Sequence, residues 1–290
     1  MNKKILKGVS RSFYLSLVFL PRRMRTPVSL AFLACKAADT IADTELISKE
    51  ERLKWLDAYR ELFTNPASRN ATDISEAIAS PQGGSVWEKR LIESLPTLMD
   101  DLQNLPPKDW LLIQELVLEL TQGMQMDLSE RASGLAMTHS MTELDQYIYY
   151  VAGCVGRFWT KMIKIHFSFS KNFGLESEDI GEKIGKGLQL VNILRDLPQD
   201  LKRGRTYIPH GVSLADIFKL ARSYLGEYER YCAYFPWYAV RLKAVVRLPA
   251  RLGLLTLDRL ESSKEWPAKD LVIKVSRGQV YKTLLGSFFK

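Results

Sequence analysis

The sequence predicts an all-α protein, and three observations lead to that fold class. Apolar residues recur at helical spacing along almost the whole chain. Several serines and threonines stand three residues before an acidic residue, which is a helix-start signature. Dipeptides that form tight hairpin turns between alternating apolar and polar runs are absent from the sequence. We therefore expect one domain over residues 1–290, with long helices around a central cavity.

The predicted helices follow one another with short connections. In chain order they cover residues 8–20, 27–43, 48–63, 85–104, 107–131, 142–167, 177–200, 213–233, 236–261 and 276–286. Thr26 and Pro27 predict the start of the second helix, because proline is favoured at the first helical position. Four later starts have the capping-box form. They pair Ser48 with Glu51, Ser85 with Glu88, Thr142 with Asp145 and Ser213 with Asp216. Residues 64–84 and 201–212 are predicted loops.

Composition limits the class of protein. The three cysteines and three histidines are scattered, which argues against a disulfide framework, a zinc site or a histidine metal site, and favours a reducing compartment. The net charge of +8 favours partners that carry phosphate, such as nucleic acid, anionic lipid or a phosphorylated small molecule. The apolar stretch near the N-terminus is short and ends at Pro21 before two arginines, so we expect no secretory signal. No apolar run is long enough for a membrane span.

Two aspartates close the second predicted helix. Asp39 and Asp43 stand four residues apart, so their carboxylates share one helix face. Like charges in this position repel each other, and acids at a helix C-terminus also oppose the macrodipole. The pair is either a solvated helix end or a cation site, and its unfavourable position favours the cation site.

A second acidic face occurs in the seventh predicted helix. Asn192, Asp196 and Asp200 follow one another at intervals of four residues. Pro198 lies inside this motif, and it predicts a kink or an early helix end, because proline cannot donate to the preceding turn. Oxygen ligands without histidine or cysteine are typical of Mg²⁺, which commonly bridges a few carboxylates to substrate phosphates. Nearby basic residues are either diphosphate ligands or surface salt-bridge partners; these are Lys36, Arg195, Lys202, Arg203 and Arg205.

Two further stretches carry open alternatives. Gly153 and Gly156 lie within one turn of a helix, where each glycine costs about 1 kcal/mol relative to alanine, so they indicate close approach of a helix or a ligand. The tyrosines before them are either core or catalytic.

Residues 237–257 are basic and amphipathic. They form either a core helix with cations that reach the surface or a contact with a membrane surface.

Five motifs resemble those of the squalene/phytoene synthases, the head-to-head prenyl transferases. They are "SRSF" at 10–13, "ADTIAD" at 38–43, "YVAGCVG" at 150–156, "NILRD…D" at 192–200 and "KVSRGQ" at 274–279. The resemblance runs from about residue 10 to the C-terminus. It implies an all-α isoprenoid-synthase fold, in which two aspartate-rich motifs face each other across a cavity and bind Mg²⁺ and prenyl diphosphate.

The resemblance also implies roles for single residues. The metal ligands would be Asp39, Asp43, Asp196 and Asp200. The substrate-binding residues would be Ser10, Arg11, Phe13, Lys36, Gln189, Asn192 and Arg195. Tyr147, the cavity tyrosine, would act with Asp39 and Asp196 in catalysis. Lys274 and Arg277 would lie near the phosphates of NADPH.

Within the family, the Asp-Thr form of the first motif, "YVAGCVG" and "KVSRGQ" resemble squalene synthases. The implied reaction joins two farnesyl diphosphates to presqualene diphosphate and, with NADPH, gives squalene. The alternative is a non-reductive product, namely dehydrosqualene, hydroxysqualene or phytoene. Three positions depart from the family pattern: Lys36 replaces an arginine, Phe32 replaces a tyrosine, and Ser276 interrupts the basic cluster. The membrane anchor of the eukaryotic enzymes is not found, so we expect a bacterial-type cytoplasmic enzyme that is either soluble or in peripheral contact with the membrane.

Two other classes of function are less consistent with the sequence. A helical adaptor could dock on anionic membranes through residues 237–257, and a nucleic-acid binder could use the positive charge. Both leave the two acid pairs unexplained, because carboxylates repel phosphate unless a metal lies between them. We therefore expect an enzyme that does not bind nucleic acid.

Overall fold

A computed structural model of the chain describes residues 3–10, 13–65, 70–79, 85–130, 137–267 and 276–288, and all their side chains except those at 13, 15, 16, 130 and 277. The regular elements in these ranges are all helices, so the predicted all-α class is confirmed. The chain divides into two compact units, residues 1–128 and 129–290. The single domain over 1–290 stays a prediction.

The first unit consists of eight helices among the described residues. They are α1 (Lys3–Ser10), α2 (Phe13–Phe19), α3 (Arg22–Asp43), α4 (Lys49–Thr64), α5 (Asn70–Ala79), α6 (Val86–Glu93), α7 (Leu95–Gln103) and α8 (Pro107–Glu130). Its core forms where α3 meets α4. Ala34 is fully buried there, and its carbonyl accepts a 2.8 Å hydrogen bond from the hydroxyl of Tyr59, which is itself fully buried. Burial of such large rings contributes most of the local packing energy.

Helix α3 begins earlier than the sequence predicts. Pro21 is its N-cap, and Met24 and Arg25 donate to the Pro21 carbonyl at 3.0 and 3.1 Å. Pro27 therefore lies inside the helix, and its predicted place at the first helical position is wrong. Proline at this sixth helical position removes one backbone hydrogen bond, the one that an N–H at position 27 would donate to the Arg23 carbonyl.

The predicted loop at 64–84 is also wrong in part, because residues Asn70–Ala79 form α5. Ile74 and Ile78 are fully buried and lie one helical turn apart, so this short helix contributes its own apolar stripe to the core. Flanking prolines and glycines suggested a loop, but tertiary packing of two isoleucines outweighs that local signal.

The second unit is built around one long helix. Its elements are α9 (Met141–Ile148), a π-helix (Tyr149–Gly153), α10 (Cys154–His166), a 3₁₀ helix (Ser168–Asn172), α11 (Leu175–Lys202), α12 (Leu214–Gly226), α13 (Tyr228–Ala233), α14 (Val240–Ser262) and α15 (Arg277–Phe288). Helix α11 packs against α10, the π-helix, α12 and α14. The predicted helix at 142–167 is thus interrupted by a π-helical turn, which the apolar periodicity did not indicate.

Glycines allow α10 and the π-helix to approach α11 closely. A Cβ atom on Gly156 would lie 1.9 Å from the carbonyl oxygen of Gly181, and one on Gly185 would lie 2.3 Å from the carbonyl oxygen of Ala152. No side chain fits at these distances. The close approach predicted for Gly153 and Gly156 is therefore an approach of helices. The backbone of α11 lies against Gly156, and the side chains of Glu182 and Lys186 on α11 lie against Gly153.

Three of the four predicted helix starts are confirmed. Ser48 with Glu51 and Ser85 with Glu88 form complete capping boxes, and Ser213 accepts a hydrogen bond from the N–H of Asp216. The pairing of Thr142 with Asp145 is wrong, because Ser140 caps α9 by accepting from the N–H of Glu143. The carboxylate of Asp145 instead accepts a hydrogen bond from Lys186 of α11.

Candidate functional site

Helix α11 carries the second acid motif near its C-terminal end. The helix continues through Pro198 to Lys202, so the predicted early helix end is wrong. Pro198 is buried in the unit. The turn that follows α11 contains Gly204 with a φ of 70°, a backbone conformation that favours glycine. This turn brings Arg205 back to the helix, where its N–H donates to the Asp200 carbonyl at 2.9 Å.

A polar cavity of about 210 Å³ opens beside this part of α11. Its lining includes the predicted residues Tyr147, Gln189, Asn192, Asp196, Asp200, Arg203 and Arg205, and three others, Ile193, Gln199 and Tyr207. Acids, amides, guanidinium groups and two tyrosines thus share one cavity within the second unit. Lys202 does not line it.

Each acid of this cavity has a guanidinium partner. Arg195 donates two hydrogen bonds to Asp196, from Nε at 2.8 Å and from Nη2 at 2.6 Å. These hydrogen bonds to Asp196 raise the pKa of the Arg195 guanidinium. Arg205 donates from Nε to Asp200 at 2.7 Å. Asp196 keeps 44% of its side chain exposed, whereas Asp200 keeps 9%, so Asp196 is the more accessible carboxylate.

Two tyrosines stack on one wall of the cavity. The rings of Tyr147 and Tyr207 are 4.9 Å apart with an interplanar angle of 20°, and both side chains are buried. Thr138 holds the backbone of Tyr207, because its hydroxyl donates a 2.6 Å hydrogen bond to the Tyr207 carbonyl. Offset stacking of this kind gives the wall a fixed aromatic face.

An ion-pair network fixes the helix that carries Tyr147. Lys186 of α11 is only 9% exposed, and its ammonium lies 2.8 Å from Asp145 and 2.7 Å from Glu182. Burial lowers the pKa of Lys186, but the hydrogen bonds to the two carboxylates outweigh it, so the net pKa is raised. Because Asp145 stands two residues before Tyr147, this network anchors α9 to α11 next to the cavity.

The first acid motif lies on α3 in the first unit. Lys36 donates to Asp39 at 2.6 Å, and its ammonium is 3.0 Å from Glu88 of α6. Burial alone would lower the pKa of Lys36, but the charges of Asp39 and Glu88 raise it above 10.5. For Glu88, burial opposes ionisation, while the Ser85 N–H and Lys36 favour it, and the net pKa falls below 4.5. Asp43, one turn further on, is exposed.

The remaining predicted site residues fall into two groups. Ser10 is buried, and its hydroxyl donates to the Leu6 carbonyl of its own helix at 2.5 Å. Its predicted role in substrate binding stays a prediction. Arg11 and Lys274 lie outside the described residues, and the side chains of Phe13 and Arg277 are not described.

Sequence reasoning missed three residues of these sites. Glu88 was recognised as a helix cap but not as a partner of Lys36, and no local pattern connects them. Tyr207 and Gln199 line the cavity. Gln199 is three residues after Asp196 on the same helix, so helical spacing could have found it. Tyr207 depends on the turn at Gly204, which spacing alone does not reveal.

The donor set of the α11 cavity fits a hard cation. Asp196, Asp200, Gln189, Asn192 and Gln199 offer carboxylate and amide oxygens, the ligands that Mg²⁺ prefers. Within the described ranges, no three histidine, cysteine or acidic side chains gather into a complete metal site. Such partial coordination suits Mg²⁺, which usually keeps waters and substrate phosphates among its ligands.

Among the helices in the described part of the chain, none combines the length and the apolar character needed to cross a membrane.

Comparisons with known proteins agree with the arrangement of the motifs. Residues 6–216 match the family model described as squalene/phytoene synthase. The squalene synthase of Eremothecium gossypii is 26% identical over 209 residues, which make up 71% of this chain and 45% of that protein. The phytoene synthase of Thermus thermophilus is 27% identical over 220 residues, 74% of this chain and 62% of that protein. The chain thus spans only about half to three fifths of the length of these relatives.

A solved structure extends the comparison to almost the whole chain. The complex of TcSQS with the ligand E5700 matches 98% of this chain and 84% of its own, with a TM-score of 0.78 and 20% identity. This likeness shows a shared fold.

Proposed function

The chain belongs to the squalene/phytoene synthase family, as its five motifs predict, and on this premise we propose that it is a prenyl transferase that joins two farnesyl diphosphates head to head. The observation that carries the proposal is the cavity beside α11. It brings two acids, two arginines and a stacked tyrosine pair together in the second unit. Acids for a cation, cations for a diphosphate and an aromatic wall for an allylic cation are the groups this reaction needs.

The reaction first requires stabilisation of the leaving diphosphate. When the C–O bond of one substrate breaks, negative charge builds on the departing diphosphate, and fixed cations stabilise it. Arg203 and Arg205 line the cavity, and Arg195 stands beside it on α11. Guanidinium groups suit this role because they bind phosphate oxygens in a bidentate manner.

Mg²⁺, when bound, would supply positive charge to the diphosphate oxygens as a Lewis acid. Asp196 and Asp200 would hold it in the second unit, and Asp39 and Asp43 are the proposed pair in the first. In the structure, Asp39, Asp196 and Asp200 are each paired with a cation of the chain. We expect these cations to exchange their carboxylate partners for diphosphate oxygens when substrate enters. In this proposal, Lys36, Arg195 and Arg205 pair with carboxylates in the free enzyme and bind diphosphate oxygens once substrate is present.

The allylic cation left behind must be kept from water. The stacked rings of Tyr147 and Tyr207 present an aromatic surface to the cavity, which stabilises a carbocation without offering a strong nucleophile. The second farnesyl diphosphate then attacks through its double bond. Loss of a proton closes the cyclopropane ring of presqualene diphosphate. Tyr147 lines the cavity, and its hydroxyl can relay that proton to an oxygen of the released diphosphate.

The second half of the proposal is reductive. A second ionisation, rearrangement and hydride capture would give squalene, with NADPH as the hydride donor. Lys274 and Arg277 remain the proposed phosphate ligands of NADPH. Ser276, which interrupts the basic cluster, caps α15 by accepting from the N–H of Gln279 at 3.3 Å. The departure from the family pattern therefore has a structural role at the start of this helix.

The alternative is a non-reductive synthase. The match to the phytoene synthase of Thermus thermophilus is as strong as the match to a squalene synthase, which favours keeping this alternative. Dehydrosqualene or hydroxysqualene would arise from farnesyl diphosphate, and phytoene from a longer prenyl diphosphate.

One experiment separates these proposals. The purified protein is incubated with farnesyl or geranylgeranyl diphosphate, with and without Mg²⁺ and with and without NADPH, and the products are identified by mass spectrometry. We expect Mg²⁺-dependent presqualene diphosphate from farnesyl diphosphate and squalene when NADPH is added. If NADPH changes neither the identity of the product nor its rate of formation, the alternative replaces the reductive proposal. Absence of turnover with either diphosphate would contradict both.

A further inference from the structure

One end of the second unit is unusually aromatic. The 3₁₀ helix between α10 and α11 meets the turn between α13 and α14, and Phe235 of that turn contacts both Phe169 and Phe173 at ring distances of 6.1 and 5.0 Å. Trp237 and Tyr238 follow Phe235 directly after one proline. We call the turn from 235 to 239, with the 3₁₀ helix, the aromatic end.

The two aromatic residues at its tip face solvent. Trp237 is 85% exposed and Tyr238 is 62% exposed, and their rings pack edge to face at 5.8 Å. By contrast, Phe173 and Phe235, which contact each other in the aromatic end, are almost fully buried. An exposed tryptophan and tyrosine side by side are costly in water but typical of the interfacial layer of a bilayer.

Three cations lie next to this tip in the sequence or on the 3₁₀ helix that contacts Phe235. Arg241 is exposed and Lys243 is half-buried in the first turn of α14, and Lys171 is exposed on the 3₁₀ helix. The start of α14 has no acidic residue and no side-chain cap. Cations in the first turn of a helix oppose its macrodipole, so they do not serve the helix itself. Glu176, an acid at this end, is held by Arg230 and Tyr234.

The rest of α14 does not contribute to this surface. Arg247 is buried and donates to Glu229 at 2.9 Å, and Arg251 binds Glu229 and the Gly286 carbonyl at 3.2 and 2.7 Å. For this part of residues 237–257, the core-helix interpretation of the sequence is therefore the better one. The exposed aromatic and basic groups are concentrated at 237–243.

We propose that the aromatic end docks on an anionic bilayer, with Trp237 and Tyr238 in the interfacial layer and Lys171, Arg241 and Lys243 near the lipid phosphates. Each such cation strengthens binding to an anionic surface about fivefold, and the two rings add apolar burial. The inference deepens the proposed function, on which it rests for its purpose: a prenyl transferase of this kind releases a hydrocarbon that dissolves only in lipid.

Co-sedimentation with vesicles tests this docking directly. We expect the protein to bind vesicles of phosphatidylcholine with phosphatidylserine, and to bind phosphatidylcholine alone far less. Binding should decrease as salt is added. The double variant Trp237→Ser with Tyr238→Ser should lose most of the binding, and Arg241→Gln and Lys243→Gln should each weaken it about fivefold. The matched control is Tyr281→Ser, since Tyr281 on α15 is also an aromatic residue that is 61% exposed.

The same variants distinguish membrane docking from misfolding and from self-association. Thermal unfolding, followed by circular dichroism, should match the wild type for the variants at Trp237, Tyr238 and Arg241, because these side chains are exposed. Arg241→Gln therefore decides the contribution of charge, since Lys243 is half-buried. Absence of wild-type binding at low salt, or equal binding by the double variant, would overturn the proposal. If the double variant instead changes the mass measured by light scattering while wild-type protein ignores vesicles, the aromatic end is a contact between copies of the chain. Vesicle binding is measured without substrate, so its failure does not affect the proposed chemistry.

Discussion

The two carboxylate oxygens of Glu88 contact different partners, the N-cap of α6 at Ser85 and the ammonium of Lys36. One oxygen accepts from the N–H of Ser85 at 2.7 Å, and the other lies 3.0 Å from the ammonium of Lys36. The N-cap of α6 is thereby connected to the acid motif on α3. The family usually has arginine at position 36. Lysine keeps the positive charge but cannot bind an anion through two parallel N–H groups. The carboxylates of Glu88 and Asp39 together fix the position of its ammonium.

The first prediction concerns Glu88→Gln. The amide can still accept from the Ser85 N–H but no longer attracts Lys36, so we expect the KM for farnesyl diphosphate to change severalfold with little loss of stability. Glu51→Gln is the matched control, because Glu51 forms the same capping box with Ser48. Steady-state kinetics and denaturant unfolding of both variants check this. Equal kinetic effects in the two variants would show that only the cap matters.

The second prediction concerns pH. The folded pKa of Glu88 lies below 4.5, so its contribution to stability is present above that pH and is lost as pH falls through the folded value. The folded pKa of Lys36 lies above 10.5, so its contribution is lost only at higher pH. The difference in unfolding free energy between wild type and Glu88→Gln should therefore be constant near neutral pH and disappear in acid. A difference that persists well below pH 4.5 would exclude this ion pair as its source.

The third prediction separates the two acids of α11. Asp196 is partly exposed, so Asp196→Asn should leave stability within about 0.5 kcal/mol of wild type while turnover falls about a hundredfold or more. Asp200→Asn should also reduce turnover, but it leaves Arg205 without its buried partner and should cost about 1–3 kcal/mol of stability. Asp39→Asn is expected to resemble Asp196→Asn. Near-normal turnover in the Asp39 or Asp196 variant would remove that residue from the metal site.

The fourth prediction concerns helix packing. Gly156→Ala places a Cβ against the backbone of Gly181 and should lower the unfolding free energy by about 1–3 kcal/mol. Gly226→Ala is the control, because nothing lies within 4 Å of the added atom and alanine favours the helix. Thermal unfolding of the two variants should differ clearly. Equal midpoints would mean that α10 and α11 separate at little cost.

The fifth prediction concerns the cofactor. If Lys274 binds a phosphate of NADPH, Lys274→Ala should slow squalene formation while presqualene diphosphate accumulates. Wild type without NADPH is the control and should stall at the same intermediate or divert to dehydrosqualene or an alcohol. Unchanged product and rate in the variant would remove Lys274 from the cofactor site.

Local patterns predicted the parts of the structure that depend on neighbours in the sequence. Helical spacing placed Asn192, Asp196 and Asp200 on one face of α11, whereas the cavity residue Gln189 was predicted only from the family resemblance. The Ser48 and Ser85 caps were recognised because a cap involves only one turn. The contact of Glu88 with Lys36 joins residues 52 positions apart, and no local pattern encodes it. Tertiary packing also decided α5, where two buried isoleucines outweigh the flanking prolines and glycines.

The π-helix at Tyr149–Gly153 sets the number of residues between the tyrosine wall and the glycine contact with α11. A π-helical turn holds one residue more than a regular turn, and each residue of a helix rotates the chain by about 100°. The wider turn absorbs its extra residue, so one further residue inserted here in regular helical geometry would turn Tyr147 by roughly that angle relative to Gly156. The ring could then no longer stack on Tyr207 while the glycine still met Gly181. An inserted residue in this segment should therefore be tolerated less well than a substitution.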